Sequence, residues 1–557
     1  MRVKRTSKVL SVFLVVASLF GVIAFLPVKA YVAPYYHKPT DMPSIYIYTD
    51  SQINRDAYVY CKIVAVDRTE GQFATVDDTN ATVKVRGNST SSGEKKPYNF
   101  KFNAKTDLFG LGKAKKWCLL ANHYDKTLMR NKLVFDFSEK IGMEFVSDSM
   151  FVDVYLNGTY LGNYLLTEAV EIGSTRVDIE PDDNEVLFEI EPWEGYSNPL
   201  SYRTPRYGIL LGYNDPEDPA AGLQSYVNTF FTNAENALAS KNKTNISKYF
   251  DLQSFIDTYI VQEYFKNVDF NTSSTRYYIK DGHLYAGPVW DFDLSSGNCS
   301  STYYTTYNNV KTTGKSYEGI WCNAQWYKVL LTCTWFTDML KARYLEIQDE
   351  IINTYQDNII GKNRIDFLIS ENKNSFDRNY ALAGWSISRV YSDLERIPDS
   401  TYQANVEYLR TWFKNRNAWL LKQWDIEGCN LTVKSNSPYR LDGMFITNVP
   451  TNTYVAEFLS MMKSGSTVVR DGMPSTSSIV RTGDAVTLGG PSYQIAVTGD
   501  TSGDGKLGVI DYIQLRLHIL GIAELQGAYK LAADYNHDGK VAVMDYIGLR
   551  LKLLGID

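Results

Sequence analysis

Histidine is scarce in this chain: five in 557 residues. No His-based metal cluster can be built from them. The six cysteines (Cys61, Cys118, Cys299, Cys322, Cys333 and Cys429) are scattered without the paired spacing of a zinc site. In an oxidising compartment some could pair, and spacing alone assigns no pairs. Excess charge of one sign is also missing. A net charge of −6 is mild and argues against nucleic acid as a main partner. Apart from one apolar run at the N terminus, no stretch is long and apolar enough to span a membrane.

What is present begins with that run. Arg2, Lys4, Arg5 and Lys8 precede apolar residues from Val9 to Leu26, and Pro27-Val28-Lys29-Ala30 offers a small-residue cleavage site. Residues 1–30 therefore have the form of a secretory signal peptide. The competing reading is a retained anchor, since the run approaches spanning length. Cleavage leaves no stable membrane span and places the chain outside the cell. Hydrophobic residues, at 44%, can build a sizeable core, and the length suggests about three or four domains. Tyrosine is abundant, at 41 residues, a weak pointer to polysaccharide contact or to large extracellular β surfaces.

The last sixty or so residues carry one pattern twice. Asp500-Thr-Ser502-Gly-Asp504-Gly505-Lys506 leads to Asp511, and Asp534-Tyr-Asn536-His-Asp538-Gly539-Lys540 leads to Asp545, at a constant offset of 34. Calcium takes roughly six to eight hard oxygen ligands, which a short loop supplies from alternate positions. The side chains of Asp500, Ser502, Asp504 and Asp511 with the Lys506 carbonyl form one candidate set. Asp534, Asn536, Asp538 and Asp545 with the Lys540 carbonyl form the other. Gly505 and Gly539 stand where such a loop turns sharply. A single copy could be an Asp- and Gly-rich surface turn. Two in register, each running into an amphipathic helix, make that reading weak.

The tail, residues 499–557, resembles a type I dockerin. The resemblance implies an all-α module of paired EF-hand-like loop–helix repeats, two bound Ca²⁺, and docking onto a cohesin of a scaffoldin. It would make the protein an extracellular, cellulosome-associated component of polysaccharide breakdown. It places the cohesin contact on Val509, Ile510, Arg516 and Leu517 of one repeat, and on Val543, Met544, Arg550 and Leu551 of the other. Either face could then dock, while the apolar pairs leave the choice of cohesin open.

Upstream, residues of about 40–200 read as strand-rich. Ser44–Tyr48, Ala57–Val66, Thr82–Val85 and Tyr98–Phe102 alternate or run apolar. Asn157-Gly158 between Phe151–Leu156 and Tyr160–Leu166 signals a hairpin. Residues of about 220–270 and 325–425 read as helical, with Leu252, Phe255, Ile256, Tyr259, Ile260 and Tyr264 on a helical period. Residues 430–498 read as a small β-rich module or linker. The fold class expected is α+β.

After the helix ending near Phe265 comes Asn267-Val-Asp269-Phe-Asn271, then a hairpin turning at Asp281-Gly282, then Trp290-Asp291-Phe-Asp293. Folding the hairpin back brings Asp269 and Asp291 to one end of a sheet. Phosphoryl transfer needs such a layout: one Asp accepts the substrate hydroxyl proton and another holds Mg²⁺ on the ATP phosphates. The competing reading is a turn capped by Asp side chains.

With Arg86-Gly-Asn-Ser89, Lys95-Lys96-Pro-Tyr98, Lys116-Trp117, Asn122, Asp125, Arg130-Asn131, Gly162 and Glu168, these motifs resemble the CotH kinase family over about residues 43–415, within a domain of 40–425. The resemblance implies an atypical, two-lobed protein kinase-like fold working with Mg²⁺ and ATP. It implies Asp269 as catalytic base and Asp291 as Mg²⁺ ligand, with Asp293 a second candidate. Lys96, chosen over Lys95 and Lys101, Arg130 and Glu168 are the nucleotide-binding candidates, and a structural role for Arg130 or Arg86 stays open. Asn271 is an alternative metal ligand. A Gly-rich phosphate loop and a His-Arg-Asp triplet are both missing. Three functions remain open: a kinase acting on protein Ser or Thr, a non-catalytic binding or adhesion module, and, on the tail alone, a polysaccharide hydrolase using two carboxylates about 5–9.5 Å apart.

Overall fold

Alternating apolar side chains roll residues 44–168 into a closed barrel. The computed structural model describes residues 40–382, 384–426, 431–475 and 478–556; the signal-peptide reading over 1–30 and Cys429 lie outside them. The barrel strands are β1 (Ser44–Tyr48), β2 (Val59–Val66), β3 (Val76–Val85), β4 (Tyr98–Asp107), β5 (Lys113–Leu120), β6 (Ser149–Leu156) and β7 (Thr159–Glu168). They run in the order β1-β2-β3-β4-β5-β7-β6, and β1 closes the ring by pairing parallel with β6. Ile45, Ile63, Val83, Phe100, Trp117 and Leu166 fill the interior. The β6–β7 hairpin turns at Asn157-Gly158 with φ of +49° and +82°, the left-handed pair a tight two-residue turn needs. β3 begins six residues earlier than expected, through the largely exposed polar stretch Asp77–Asn80.

A helix, Arg130–Lys140, interrupts the strand-rich region where none was expected. It is buried along both its polar and its apolar residues, from Arg130 and Asn131 to Phe137 and Ser138, so no one-sided apolar stripe announces it.

Beyond the barrel, β8 (Val186–Ile190), β9 (Ser201–Arg203), β10 (Leu210–Asp215), β11 (Arg276–Lys280) and β12 (His283–Ala286) form a second sheet in the order β12-β11-β8-β10-β9. Helices Ala221–Ala239 and Leu252–Tyr264 pack against it. The second is capped by Asp251, whose carboxylate accepts Ser254 N at 2.7 Å. It is buried on every side from Phe255 to Tyr264, which makes it the spine of this larger core. A ribbon, β13 (Tyr304–Tyr307) and β14 (Val310–Thr313), follows. Helices Tyr327–Leu330, Thr334–Glu346, Gln348–Asn353, Arg364–Ala381 and Tyr402–Gln423 complete the body. Arg364–Ala381 straps the barrel: Arg378 pairs with Asp153 at 2.6 Å, and Asn163 Nδ2 donates to Ser375 Oγ at 2.8 Å.

The body passes into a six-stranded sheet of order β15-β16-β20-β19-β17-β18, built from β15 (Arg440–Asp442), β16 (Phe445–Val449), β17 (Thr467–Arg470), β18 (Met473–Pro474), β19 (Ala485–Thr487) and β20 (Tyr493–Val497). Three helices follow: Val509–Ile519, Gly527–Ala533 and Val543–Leu553. The outer two follow the repeated loops. The middle one, absent from the sequence reading, lays Ala528 and Ala532 on Ala496 and Phe445 of the sheet. The whole is a mixed α+β architecture. Among the described residues, no helix is long and apolar enough to cross a membrane.

Candidate functional site

The spine helix delivers the first acid. At its end Glu263 is fully buried, accepts Trp321 N at 2.9 Å and Cys322 N at 2.7 Å, and pairs with Arg416. Lys266, at φ +50°, points its ammonium into four oxygens: Thr312 Oγ1 at 3.2 Å, and the carbonyls of Thr313, Ser316 and Glu318 at 3.0, 2.8 and 2.6 Å. These ties fix the start of a tight loop. Asn267 Oδ1 accepts Asp269 N at 3.1 Å, and Asp269 O accepts Thr272 N and Ser273 N, each at 2.8 Å.

The hairpin β11–β12 then returns the chain to the same place. Asp281 and Gly282 turn it with φ of +49° and +72°. Asp291 follows at φ +65°, a left-handed backbone that costs a non-glycine residue roughly 1–3 kcal/mol and that clusters at functional sites. Its Oδ2 accepts Ser274 Oγ at 3.3 Å. Beyond it, Asn131 Oδ1 accepts Phe292 N at 2.8 Å, and Asn298 Nδ2 donates to Asp293 O at 2.6 Å. The structure thus brings Asp269, Asp291 and Asp293 to the wall of one cavity of about 480 Å³ between the barrel and the second sheet.

The acids influence one another. Burial, and then the charge of Asp291, pushes the Asp269 carboxyl up to about 7. Burial raises Asp293 well above the usual carboxylate range, with Asp291, Asp269 and Asp125 adding to it. Cations face them. Arg55, Lys84, Arg86 and Arg276 line the same cavity. The guanidiniums of Arg86 and Arg276 both lie over the Trp290 ring, at 5.3 and 5.6 Å. Arg276 is engaged, with Glu189 at 3.4 Å and Asn214 Oδ1 at 3.3 Å. Arg86 differs: its Nε is buried with no hydrogen-bond partner.

The other sequence candidates lie elsewhere. Lys96 turns away from the cavity and donates to Ser91 O at 2.9 Å. Its neighbour Lys95 is buried behind the strap, donates to Asn163 O and to Asn379 Oδ1 at 2.8 Å, and has its ammonium pulled down to about 7 by burial. Arg130 is also off the cavity wall. It pairs with Asp125 and donates to Ser295 O at 3.1 Å, tying a helix start to the turn after Asp293. Glu168 accepts Asp148 N at 3.1 Å and faces Arg176 at 3.5 Å, and burial raises its carboxyl to about 7. Asn271 is spent on Trp321 O and Asn323 N, at 2.9 and 3.2 Å. Lys84, Glu189 and Arg276 come from three different strands, and only strand register could have grouped them.

Among the described residues, no three His, Cys, Asp or Glu side chains converge as a ready-made metal cage. In the tail the two loops share one hydrogen-bond plan. Asp500 Oδ1 accepts Asp504 N and its Oδ2 accepts Gly505 N, both at 2.9 Å; Asp511 accepts Ser502 N and Gly508 N at 2.7 and 2.8 Å. Asp534 and Asp545 accept the amides 34 positions on, at 2.8–3.1 Å. Asp504 and Asp538 accept Lys506 N and Lys540 N at 2.8 and 2.9 Å. The first loop is sealed against the β module, with Thr482 N donating to Asp500 Oδ2 and Asn452 N to Gly505 O, each at 2.9 Å. Val509, Ile510, Val543 and Met544 are exposed, as are Arg516, Arg550 and Leu551, while Leu517 is half-buried.

No curated protein matches the chain. A family model described as CotH kinase protein matches residues 83–420, starting within β3 and ending within the last helix of the body.

Proposed function

The chain belongs to the CotH kinase protein family, and from that premise we propose that its body transfers phosphate from ATP to a Ser or Thr hydroxyl of a protein. The observation that carries the reading is the cavity where Asp269, Asp291 and Asp293 meet the Arg86 guanidinium, whose Nε is buried without a hydrogen-bond partner. Asp269 is the base: a carboxyl near 7 retains enough basicity to take a hydroxyl proton at neutral pH. Asp291 and Asp293 are the metal-facing pair. Burial is the main cause of the raised Asp293 and the charge of Asp291 adds to it; a divalent cation would relieve both. Two carboxylates suit Mg²⁺, which commonly takes one or two and completes its shell with water and phosphate. When bound, Mg²⁺ neutralises phosphate charge. Arg86 takes the phosphate-contacting part first given to Lys96. Arg130 and Glu168 act as supports of the framework.

We further propose that residues 499–557 form a Ca²⁺-dependent docking module. Its support is the doubled hydrogen-bond plan, which already wraps each loop around its first and last Asp. Tyr512 stacks on Tyr546 at 4.5 Å, and the exposed apolar pairs of the two repeats suit a cohesin as partner. On this proposal the protein is secreted and scaffold-borne.

The test of the catalytic reading is transfer of radiolabel from ATP to a panel of cellulosomal proteins. Asp269→Ala is expected to bind Mg²⁺-ATP and to lose at least about a hundredfold in transfer; equal transfer by the variant removes Asp269 from its role.

A further inference from the structure

The barrel carries a band of cations that the nucleotide reading leaves without a task. On β3, β4 and β5, Thr82, Lys101 and Lys116 pair across the sheet, as do Lys84 and Asn99. Directly opposed residues share a face, so Lys84, Lys101 and Lys116 stand on one side, on strands about 4.8 Å apart. Lys84 lines the acidic cavity; Lys101 and Lys116 line a neighbouring hollow of about 300 Å³, together with Lys105, Lys113 and Lys115. Tyr58 joins the two, with the Lys84 and Lys101 ammoniums over its ring at 4.9 and 4.7 Å. Three acids face the band: Glu171, which also lines the hollow, pairs with Arg176 and acts on Lys116 and Lys101, Asp215 acts on Lys116, and Glu217 acts on Lys84. The lysines outnumber them. Burial, with Lys116, Lys101 and Arg55 adding to it, lowers the Lys84 ammonium. So many cations in one band of a chain of net charge −6 make a local field that attracts anions.

We propose that this band binds an acidic stretch of the polypeptide that carries the acceptor hydroxyl. The proposal rests on the kinase reading and names its substrate class. From Asn99, at the cavity, to Lys105 the strand covers roughly 20 Å, the reach of about six extended residues. The acidic residues then lie within about six positions of the acceptor. The band is about three strands, or some 10 Å, across, which fits one extended chain.

The test uses the full chain, without nucleotide, and fluorescence anisotropy of labelled peptides with one Ser beside six Glu or six Lys, on either side. The Glu peptides are expected to bind at least about tenfold more tightly than the Lys peptides and to weaken as salt rises. Lys101→Glu with Lys116→Glu is expected to weaken the Glu peptide by about tenfold or more. A melting curve checks that this variant is folded, and Lys101→Gln with Lys116→Gln replaces it if not. Equal binding of both peptide types, unchanged binding by the folded variant, or binding of a sulfated glycan or single-stranded nucleic acid in place of the Glu peptide would each overturn the proposal. Mg²⁺-ATP heat measured separately on wild type reports the kinase reading, so the two can fail independently.

Discussion

Replacing Arg416 with Met tests what holds the Asp269 loop in place. Arg416 is fully buried. Its guanidinium pairs with the Glu263 carboxylate and donates to Glu263 O at 2.8 Å, Tyr317 O at 2.7 Å and Gly319 O at 3.0 Å. Methionine keeps an unbranched apolar stem, shorter than that of arginine, and removes every one of those donors. Glu263, itself fully buried, keeps the Trp321 and Cys322 amides and the Cys322 thiol. Removing one partner of such a pair costs roughly 3–5 kcal/mol, because the other charge is left buried without compensation. Against a typical stability of about 5–15 kcal/mol that is a large fraction. Urea unfolding followed by intrinsic fluorescence reads it as a shift of the body's transition. Adding Glu263→Gln removes the stranded charge, so the double variant is expected to recover part of the loss. A single variant within about 1 kcal/mol of wild type would refute the assignment of this pair as the anchor.

Three further outcomes follow from the same geometry. Burial, with Lys126, Lys95, Lys96 and Arg389 around it, pushes His123 down to about 3. An unfolded histidine protonates near 6.5, so stability is full above that pH and drains away as pH falls toward 3, by at most about 2 kcal/mol at pH 5. His123→Phe should flatten this between pH 7 and 5 in urea melts, and a variant as acid-sensitive as wild type would count against it. Arg86→Ala should weaken Mg²⁺-ATP binding by about tenfold to a hundredfold, as loss of a charge-assisted phosphate contact does, with little change in melting temperature; unchanged calorimetric affinity would exclude Arg86 from the phosphates. Asp500→Ala should lower the Ca²⁺-dependent melting of the tail more than Asp534→Ala, because Asp500 also accepts Thr482 N from the β module; equal effects would show that the seal on the first loop contributes nothing.

Local signals in the sequence were legible where one residue pattern decides the structure. Asn157-Gly158 announced its hairpin, the apolar period from Leu252 to Tyr264 announced the spine helix, and the spacing from Asp269 to Asp291 placed both acids at one end of a sheet. The helix Arg130–Lys140 was hidden because it is wrapped on all sides and shows no polar face. The first half of β3 was hidden because it is polar and largely exposed. Choosing between Lys95 and Lys96 failed for a different reason. Adjacent residues at a strand's approach point in opposite directions, and neither direction led to the cavity. The cations that do reach it come from separate strands, and their meeting is a property of register in the closed barrel and the second sheet.

The central claim is that the cavity between barrel and sheet is a Mg²⁺-nucleotide site. Calorimetric titration of Mg²⁺-ATP into the full chain, wild type and Asp291→Ala, tests it most directly. A saturable heat is expected in wild type and none in the variant, with both proteins melting alike. No heat in wild type, or the same heat in Asp291→Ala, would contradict it.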